Sequence, residues 1–419
     1  MLDKNLFLYD LAIVAIFKNE GPYLKEWLDY HLLAGVDHFF LYNNESSDDY
    51  KKVLAPYVEK NLVTLTEWPG KLMQYPAYED AIEKFRFECR YMAFIDLDEF
   101  IFPKTNRSVV EVVDEILSGA PNATGLGINW QCFGSNGQKK ADYSKGVLER
   151  FTRRPPRNSG EKERLANAYI KTIENPRFIR YRITPRFSFY FYEKFSVNSN
   201  GEKLQTEYRG NQILFDKIVI NHYFTKSEEE FFLKTDRGRA DRDTPYSYRE
   251  KLFKEYDRND EFDDDILKYR AARAQTFSFE SDEQKVNRVV SSLIRTLTQT
   301  SPEDSFIDKI ETFLTCRAVA EKFNITIGDR SAEEFSLAWL YRTLIEPITY
   351  AEVQMFLKAL PEILSRPFPI CKQIFDLVQG NLLPSFCEHL KNPNDYKGIE
   401  DWKLRSNMLQ MQKLLNLIK

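Results

Sequence analysis

The chain opens with a regular exchange of apolar and mixed segments. The run "LAIVAIF" (Leu11–Phe17) is continuous and of strand length. In "EGPYLKEWLDYHLLAG" the residues Leu24, Trp27, Leu28 and Leu32 recur at helical spacing, and Gly35 marks the stop. "DHFFLYNN" predicts a second strand, ended by the turn-forming "NNESSDD". A short helix in "KKVLAPYVEKN", a third strand in "LVTLTEW", a helix in "YPAYEDAIEKFRFECRY" and a fourth strand in "MAFIDLDEFIF" follow. Strands and helices alternating in this way predict an α/β layer with a mostly parallel sheet.

In such sheets the ligand crevice lies beyond the carboxyl ends of the strands. Three of the four predicted strands end in polar groups: Lys18, Asn19 and Glu20; Asn43, Asn44 and Glu45; Asp96, Asp98 and Glu99. Singly, each group reads as an ordinary loop or cap. Together, at one end of one sheet, they point to a site.

The middle of the chain is richer in loops and basic residues. "FTRRPPRNSGEKER" (Phe151–Arg164) predicts a surface loop, and "RFIRYRITPRFSFYFYEKFSV" alternates aromatic and basic residues as a strand would. "IVINHYF" (Ile218–Phe224) is a further strand. Ser227 and Glu230 in the next segment fit a capping box. The acidic "KEYDRNDEFDDD" (Lys254–Asp265) reads as a solvated segment before a domain boundary. From about residue 280 the segments become amphipathic and helical. The expected organisation is a catalytic domain over residues 1–255 and a mostly α-helical domain over residues 280–419. The final "MLQMQKLLNLIK" is amphipathic with a basic end, which suits core packing, dimerisation, an acceptor polymer or peripheral membrane contact.

Composition narrows the functional classes. At 419 residues the chain exceeds the roughly 250–300 residues of one core. Its net charge of −4 gives no global field for nucleic acid, so an anion site must be local. Five cysteines without a CxxC pair argue against a disulfide framework or structural zinc and for a reducing compartment. No uninterrupted apolar run reaches about 18 residues. The expected location is cytoplasmic, with the inner face of the membrane open as a site of contact.

Asp96 and Asp98 stand two residues apart. If the strand continues through them, they project from the same face. Two carboxylates so placed repel unless a cation sits between them. Mg²⁺ or Mn²⁺ takes oxygen ligands, keeps positions open for phosphates and can neutralise charge on a departing diphosphate. An ion pair with Arg or Lys is the bland alternative.

In order, "VAIFKNEGPYLKEWLDYHLLAGVDHFFLYNNESSDD", "QYPAYEDAIEKFRFECRYMAFIDLDEFIFP", "INWQCFGSNG" and "INHYFTKSEEEFFLKTDRGR" resemble glycosyltransferase family 92 and the related bacterial group of the family 2-like set. The likeness runs from about Leu11 to Arg242. It implies a glycosyltransferase A fold, a Rossmann-like mixed sheet flanked by helices, with the C-terminal helices outside it. It also implies a nucleotide-sugar donor, Mn²⁺ or Mg²⁺, and inverting transfer of a hexose, often galactose, to a hydroxyl of a glycan or glycolipid.

Carried onto this sequence, the resemblance places Asp96 and Asp98 in the metal–diphosphate motif, with Glu99 orienting the strand end or touching the donor. Lys18, Asn19, Glu20, Asn43 and Asn44 fall beside the nucleoside. Gln74, Tyr78 and Asp80 open the helix that lines the donor pocket. Trp130, Gly134 and Ser135 fall on the sugar and acceptor side, where an aromatic ring can cover a hexose face and glycine lets backbone approach. His222 completes a metal shell, and Lys226, Arg237 and Arg239 reach diphosphate oxygens. Family members often carry a histidine where this chain reads "RYRITPRFSFYFYEKF". Its absence leaves Arg186 or Tyr190 in that role, or a different acceptor chemistry. The required carboxylate base is unassigned; Glu161, Glu163 and Glu193 are candidates by region alone.

Two other readings remain open at this point. One is a non-catalytic carbohydrate-binding or scaffold protein on a transferase fold. The other is a nucleotidyltransferase or sugar-phosphate hydrolase, which the lack of an early Gly-rich phosphate loop disfavours.

Overall fold

The structure is a computed structural model. It describes residues 3–157, 166–184, 186–191, 193–205, 209–210, 212–241, 248–278, 280–298, 306–327 and 330–331. The chain divides into two compact units, one of Phe7–Lys285 and one of Met1–Leu6 with Val286–Lys419.

The strands of the larger unit are β1 (Tyr9–Phe17), β2 (His38–Asn43), β3 (Val63–Glu67), β4 (Cys89–Phe94), β5 (Glu99–Pro103), β6 (Ala123–Cys132), β7 (Arg153–Arg154), β8 (Ile170–Glu174), β9 (Ile179–Thr184), β10 (Phe187–Tyr190), β11 (Phe195–Val197), β12 (Ile218–His222) and β13 (Glu261–Phe262). Nine of them form one mixed sheet in the order β3-β2-β1-β4-β8-β6-β12-β5, with β11 beside the start of β6. β1 to β4 pair in parallel. β8 runs antiparallel to both β4 and β6, and β12 is parallel to β6.

Helices cover both faces, which is why β1 carries no polar alternation. Leu11, Ile13, Ala15 and Phe17 pack with Leu24, Trp27 and Leu28 of the helix Gly21–Leu33. Ala12, Val14 and Ile16 pack with Ala77, Tyr78, Ala81 and Ile82 of the helix Gln74–Phe85. Pro22 fits the first turn of its helix because the missing N–H would have no partner there. Ser227 and Glu230 form the expected capping box of the helix Glu228–Asp236.

Two expectations are corrected. "MAFIDLDEFIF" is not one strand. β4 ends at Phe94, a turn follows in which the Glu99 amide donates to the Asp96 carbonyl (3.0 Å), and β5 departs to pair antiparallel with β12. Asp96 and Asp98 therefore sit in a turn and do not share a strand face. The acidic segment 254–265 is also no solvated linker. The Asp263 carboxylate is buried against Arg154 (2.6 Å), and Asp257 and Asn259 accept from the amides of Ser135 and Asn136 (both 2.7 Å). The following helix, Asp265–Thr276, adds Ile266 and Tyr269 to the core of the larger unit.

In the smaller unit, the helices Asp282–Thr298 and Phe306–Phe323 bury Val289, Leu293, Leu297, Phe313, Leu314 and Cys316. The predicted helices beyond residue 331, including "MLQMQKLLNLIK", lie outside the described residues. No helix among the described residues is long and apolar enough to cross a membrane.

Candidate active site

A cleft of about 700 Å³ opens at the carboxyl ends of β1, β2 and β4, within the about 300–1,000 Å³ usual for small-molecule sites. At its β3 end stand Lys18, Glu20, Asn44, Glu45 and the loop 70–72. Asp96, Asp98 and Lys171 stand in the middle, and Trp130, Tyr169, Arg186, His222, Phe224 and Tyr256 at the far end.

The two aspartates hold different partners. Asp96 Oδ2 lies 2.9 Å from Lys171 Nζ, and Asp96 Oδ1 accepts from Gln74 Nε2 at 3.1 Å. Asp98 is buried. Its Oδ2 accepts from Lys234 and stands 3.6 Å from His222 Nε2. Burial alone would raise the Asp98 carboxyl, but the Lys234 ammonium and His222 overcome it and hold the group well below the usual range. Burial lowers the His222 imidazole, so it is neutral near pH 7, the form that binds metals.

Glu99 lies beneath this pair, fully buried. Its Oε2 accepts from the Asp96 amide (2.9 Å) and stands 3.3 Å from Lys171 Nζ. Burial pushes its carboxyl up to about 8. Glu99 does not line the cleft; it shapes the turn that presents Asp96.

The other predicted residues separate into cleft walls and scaffold. Arg237 donates to the Lys18 carbonyl (2.6 Å) and pairs with Glu20, tying the end of β1 to the helix Glu228–Asp236. Asn44 Nδ2 donates to the carbonyls of Trp68 and Gly70 (2.8 and 2.9 Å) and sets the loop at the cleft's β3 end. Asn43 is bound to Glu67 and Tyr50, and Asn19 holds the loop 46–47; neither lines the cleft. Tyr78 is buried under Gln74 Nε2 (3.2 Å), while Asp80 accepts from Tyr42 and Lys84. Lys226 is buried with its Nζ 4.1 Å from the centre of the Tyr23 ring, off the cleft. Trp130 reaches the cleft, whereas Gly134 and Ser135 pack on the 257–259 segment.

Glu161 and Glu163 lie outside the described residues. Glu193 is exposed just before β11, which pairs with the start of β6 at Ala123. The cleft lies at the other end of β6, about seven residues or roughly 23 Å away. Tyr190 is bound to Glu174 and Ser196, also off the cleft, while Arg186 lines it.

Sequence reasoning missed Lys171 and Lys234. Lys171 is 1% exposed at its side chain within the strand "IKTIE", whose mixed composition carries no local signal that the lysine points inward. Lys234 lies three residues before Arg237, so the two share a helix face.

As donors, two carboxylates and a neutral imidazole suit Mn²⁺ or Mg²⁺. His222 Nδ1 is buried without a hydrogen-bond partner, and Nε2 faces Asp98. Among the described residues no three such groups stand together at ligand distance, and Lys171 and Lys234 hold the aspartates instead. The donor types suit the ion, but as placed both aspartates are held by lysines.

An α/β layer with an acidic turn facing a cleft beyond its parallel strands is the layout of a glycosyltransferase A-type enzyme. The chain belongs to glycosyltransferase family 92, whose family model matches residues 15–259. A family 92 protein of Ricinus communis is 28% identical over 145 residues, 34% of this chain and 26% of the relative. One of Oryza sativa subsp. japonica is 29% identical over 145 residues, 34% of this chain and 24% of the relative. The galactan beta-1,4-galactosyltransferase GALS2 of Arabidopsis thaliana is 26% identical over 110 residues, 24% of this chain and 21% of that one. The matches thus span about a quarter of these relatives' lengths. Among solved structures, residues 1–349 of S. aureus TarS align with a TM-score of 0.30 at 10% identity, over 75% of this chain and 91% of that one.

Proposed function

We propose that the chain transfers a hexose, galactose first among candidates, from a UDP-sugar to a hydroxyl of a glycan or glycolipid, with inversion at the anomeric carbon. The observation that carries this reading is the cleft with Asp96 and Asp98 in its middle and polar strand ends on one side. The family supports sugar transfer, and the similarity to a galactan beta-1,4-galactosyltransferase supports a galactosyl donor and a glycan acceptor.

The nucleoside lies against Lys18, Glu20 and Asn44, with Arg237 holding the end of β1 in place. The diphosphate lies between Lys171 and Lys234, whose ammonium groups offset charge developing on the leaving group. Asp98 and His222, with Asp96, would hold Mn²⁺ or Mg²⁺, and a bound ion would further neutralise the diphosphate. Gln74, Lys171 and Glu99 keep Asp96 oriented. The acceptor enters from the end of the cleft that Trp130, Tyr169 and Tyr256 line.

Titration calorimetry with UDP, with and without Mn²⁺, tests the reading. Binding in the micromolar range that needs Mn²⁺ and is lost in Asp98→Asn is expected. No binding of any nucleoside diphosphate in the presence of metal would overturn it. A donor screen read by diphosphate release then identifies the sugar.

A further inference from the structure

The far end of the cleft is an aromatic wall with a cation laid on it. The Arg186 guanidinium carbon stands 5.1 Å from the centre of the Trp130 ring and 5.0 Å from that of Tyr169. Trp130 also packs against His222 at 4.2 Å between ring centres. In sheet order this wall belongs to β8, β6 and β12, beyond the β4 turn that carries Asp96, so it lies on the side away from the nucleoside end.

The charges here are unbalanced. Lys18, Lys171, Lys234, Arg237 and Arg239 each face a carboxylate. The guanidinium of Arg186 makes no ion pair or hydrogen bond among the described residues, and its Nε is buried without a partner. Lys71 also lacks a carboxylate, but it is exposed and lies at the opposite end. Trp130 Nε1 and His222 Nδ1 are likewise buried without partners. Indole N–H and guanidinium N–H only donate. The guanidinium sits at cation–π distance from both rings, and its terminal N–H groups, which make no bond to the described residues, can donate to a planar or tetrahedral anion.

We propose that the acceptor of this enzyme carries an anionic group, a carboxylate or a phosphate on the accepting sugar unit, and that the terminal N–H groups of Arg186 bind it at this wall. The proposal rests on the transferase reading and adds the charge class of the acceptor. Arg186 is then a specificity-determining residue: a neutral hydroxyl can accept one of these bonds but supplies no counter-charge.

Three probes test it on the full chain with UDP and Mn²⁺ present: methyl galactoside, methyl galacturonoside and galactose 6-phosphate. Affinities are read by calorimetry or saturation-transfer NMR. One charged sugar is expected to bind at least about tenfold more tightly than the neutral one, a difference of about 1.4 kcal/mol. Whichever is preferred identifies carboxylate or phosphate as the source of the charge. The preference should fall below about threefold in Arg186→Gln and persist in part in Arg186→Lys. Equal binding of charged and neutral sugars, no sugar binding by a chain that binds UDP, or a preference that survives Arg186→Gln would each overturn it. So would an Arg186→Gln effect confined to UDP, which would place the guanidinium on the donor. If the wild-type chain binds no UDP, the transferase reading itself falls, and that titration separates the two failures.

Discussion

Lys171 Nζ stands 2.9 Å from Asp96 Oδ2 with its side chain almost wholly buried, and Glu99 Oε2 lies 3.3 Å away on the same ammonium. One cation from β8 thus holds both carboxylates that flank the β4–β5 turn. Lys171→Met removes the charge and keeps the length. At pH 7 Glu99, pushed up to about 8, is mostly protonated, so the loss falls on the half-exposed Asp96 pair and on the bonds Lys171 makes in the turn, a cost of about 1–2 kcal/mol. Urea unfolding at pH 7 should show this loss. An unchanged midpoint would mean that the Asp96 turn stands without Lys171.

Lys234 occupies Asp98, and Asp98 stands 3.6 Å from His222. A divalent ion binding Asp98 and His222 must displace that ammonium, so lysine and ion compete. Lys234→Met should therefore tighten Mn²⁺ binding without nucleotide by about tenfold, while weakening UDP in the presence of Mn²⁺ because a phosphate partner is lost. Manganese titration followed by electron paramagnetic resonance separates the two effects. Weaker Mn²⁺ binding in the variant would exclude competition at Asp98.

Gly134 joins β6 to the loop that meets the segment 257–259. A Cβ added there would stand 2.4 Å from the Arg258 carbonyl oxygen and 2.5 Å from Asn259 Oδ1. Backbone has to move to admit it, at a cost of about 1–3 kcal/mol. Gly134→Ala should lower the thermal midpoint. It should also loosen the Ser135–Asp257 and Asn136–Asn259 bonds, read as faster amide exchange at residues 135 and 136. Wild-type exchange in the variant would show that glycine is not required for this packing.

The alternation of the first hundred residues made the parallel core legible, because continuous apolar runs and 3.6-residue stripes are local signals. The sheet's second half was not. β5 and β12 are adjacent only through a pairing across more than a hundred residues, so "MAFIDLDEFIF" looked like one strand although it feeds two. The site was legible where strand ends supply it: Lys18, Glu20, Asn44, Asp96 and Asp98 all line the cleft. It was illegible where distant strands and helices supply counter-charges, as with Lys171 and Lys234. Asn43 shows the limit of position alone: it ends a strand beside the cleft, yet its amide is bound to Glu67 and Tyr50.

Away from the cleft, Lys104 carries a testable strain on stability. Its Nζ is buried without a hydrogen-bond partner, 4.1 Å from the centre of the Phe102 ring. Burial lowers its pKa to about 8; Asp263 and Asp265 act to raise it, while Arg157 and Arg154 add to the lowering. Between about pH 8 and the ordinary lysine value near 10.4 the unfolded chain holds a proton that the folded chain has released. In that window this group makes stability rise with pH; below it both states are charged and the burial cost is fully present. Lys104→Met keeps the apolar stem and removes the charge. It should stabilise the fold at pH 7 by about 1–2 kcal/mol, discounted for the part of the side chain that solvent reaches. It should also flatten the rise between pH 8 and 10. Urea midpoints of both proteins at pH 7, 8, 9 and 10 decide it. A destabilised variant, or an equal rise in both proteins, would show that the ammonium is better accommodated than its surroundings indicate.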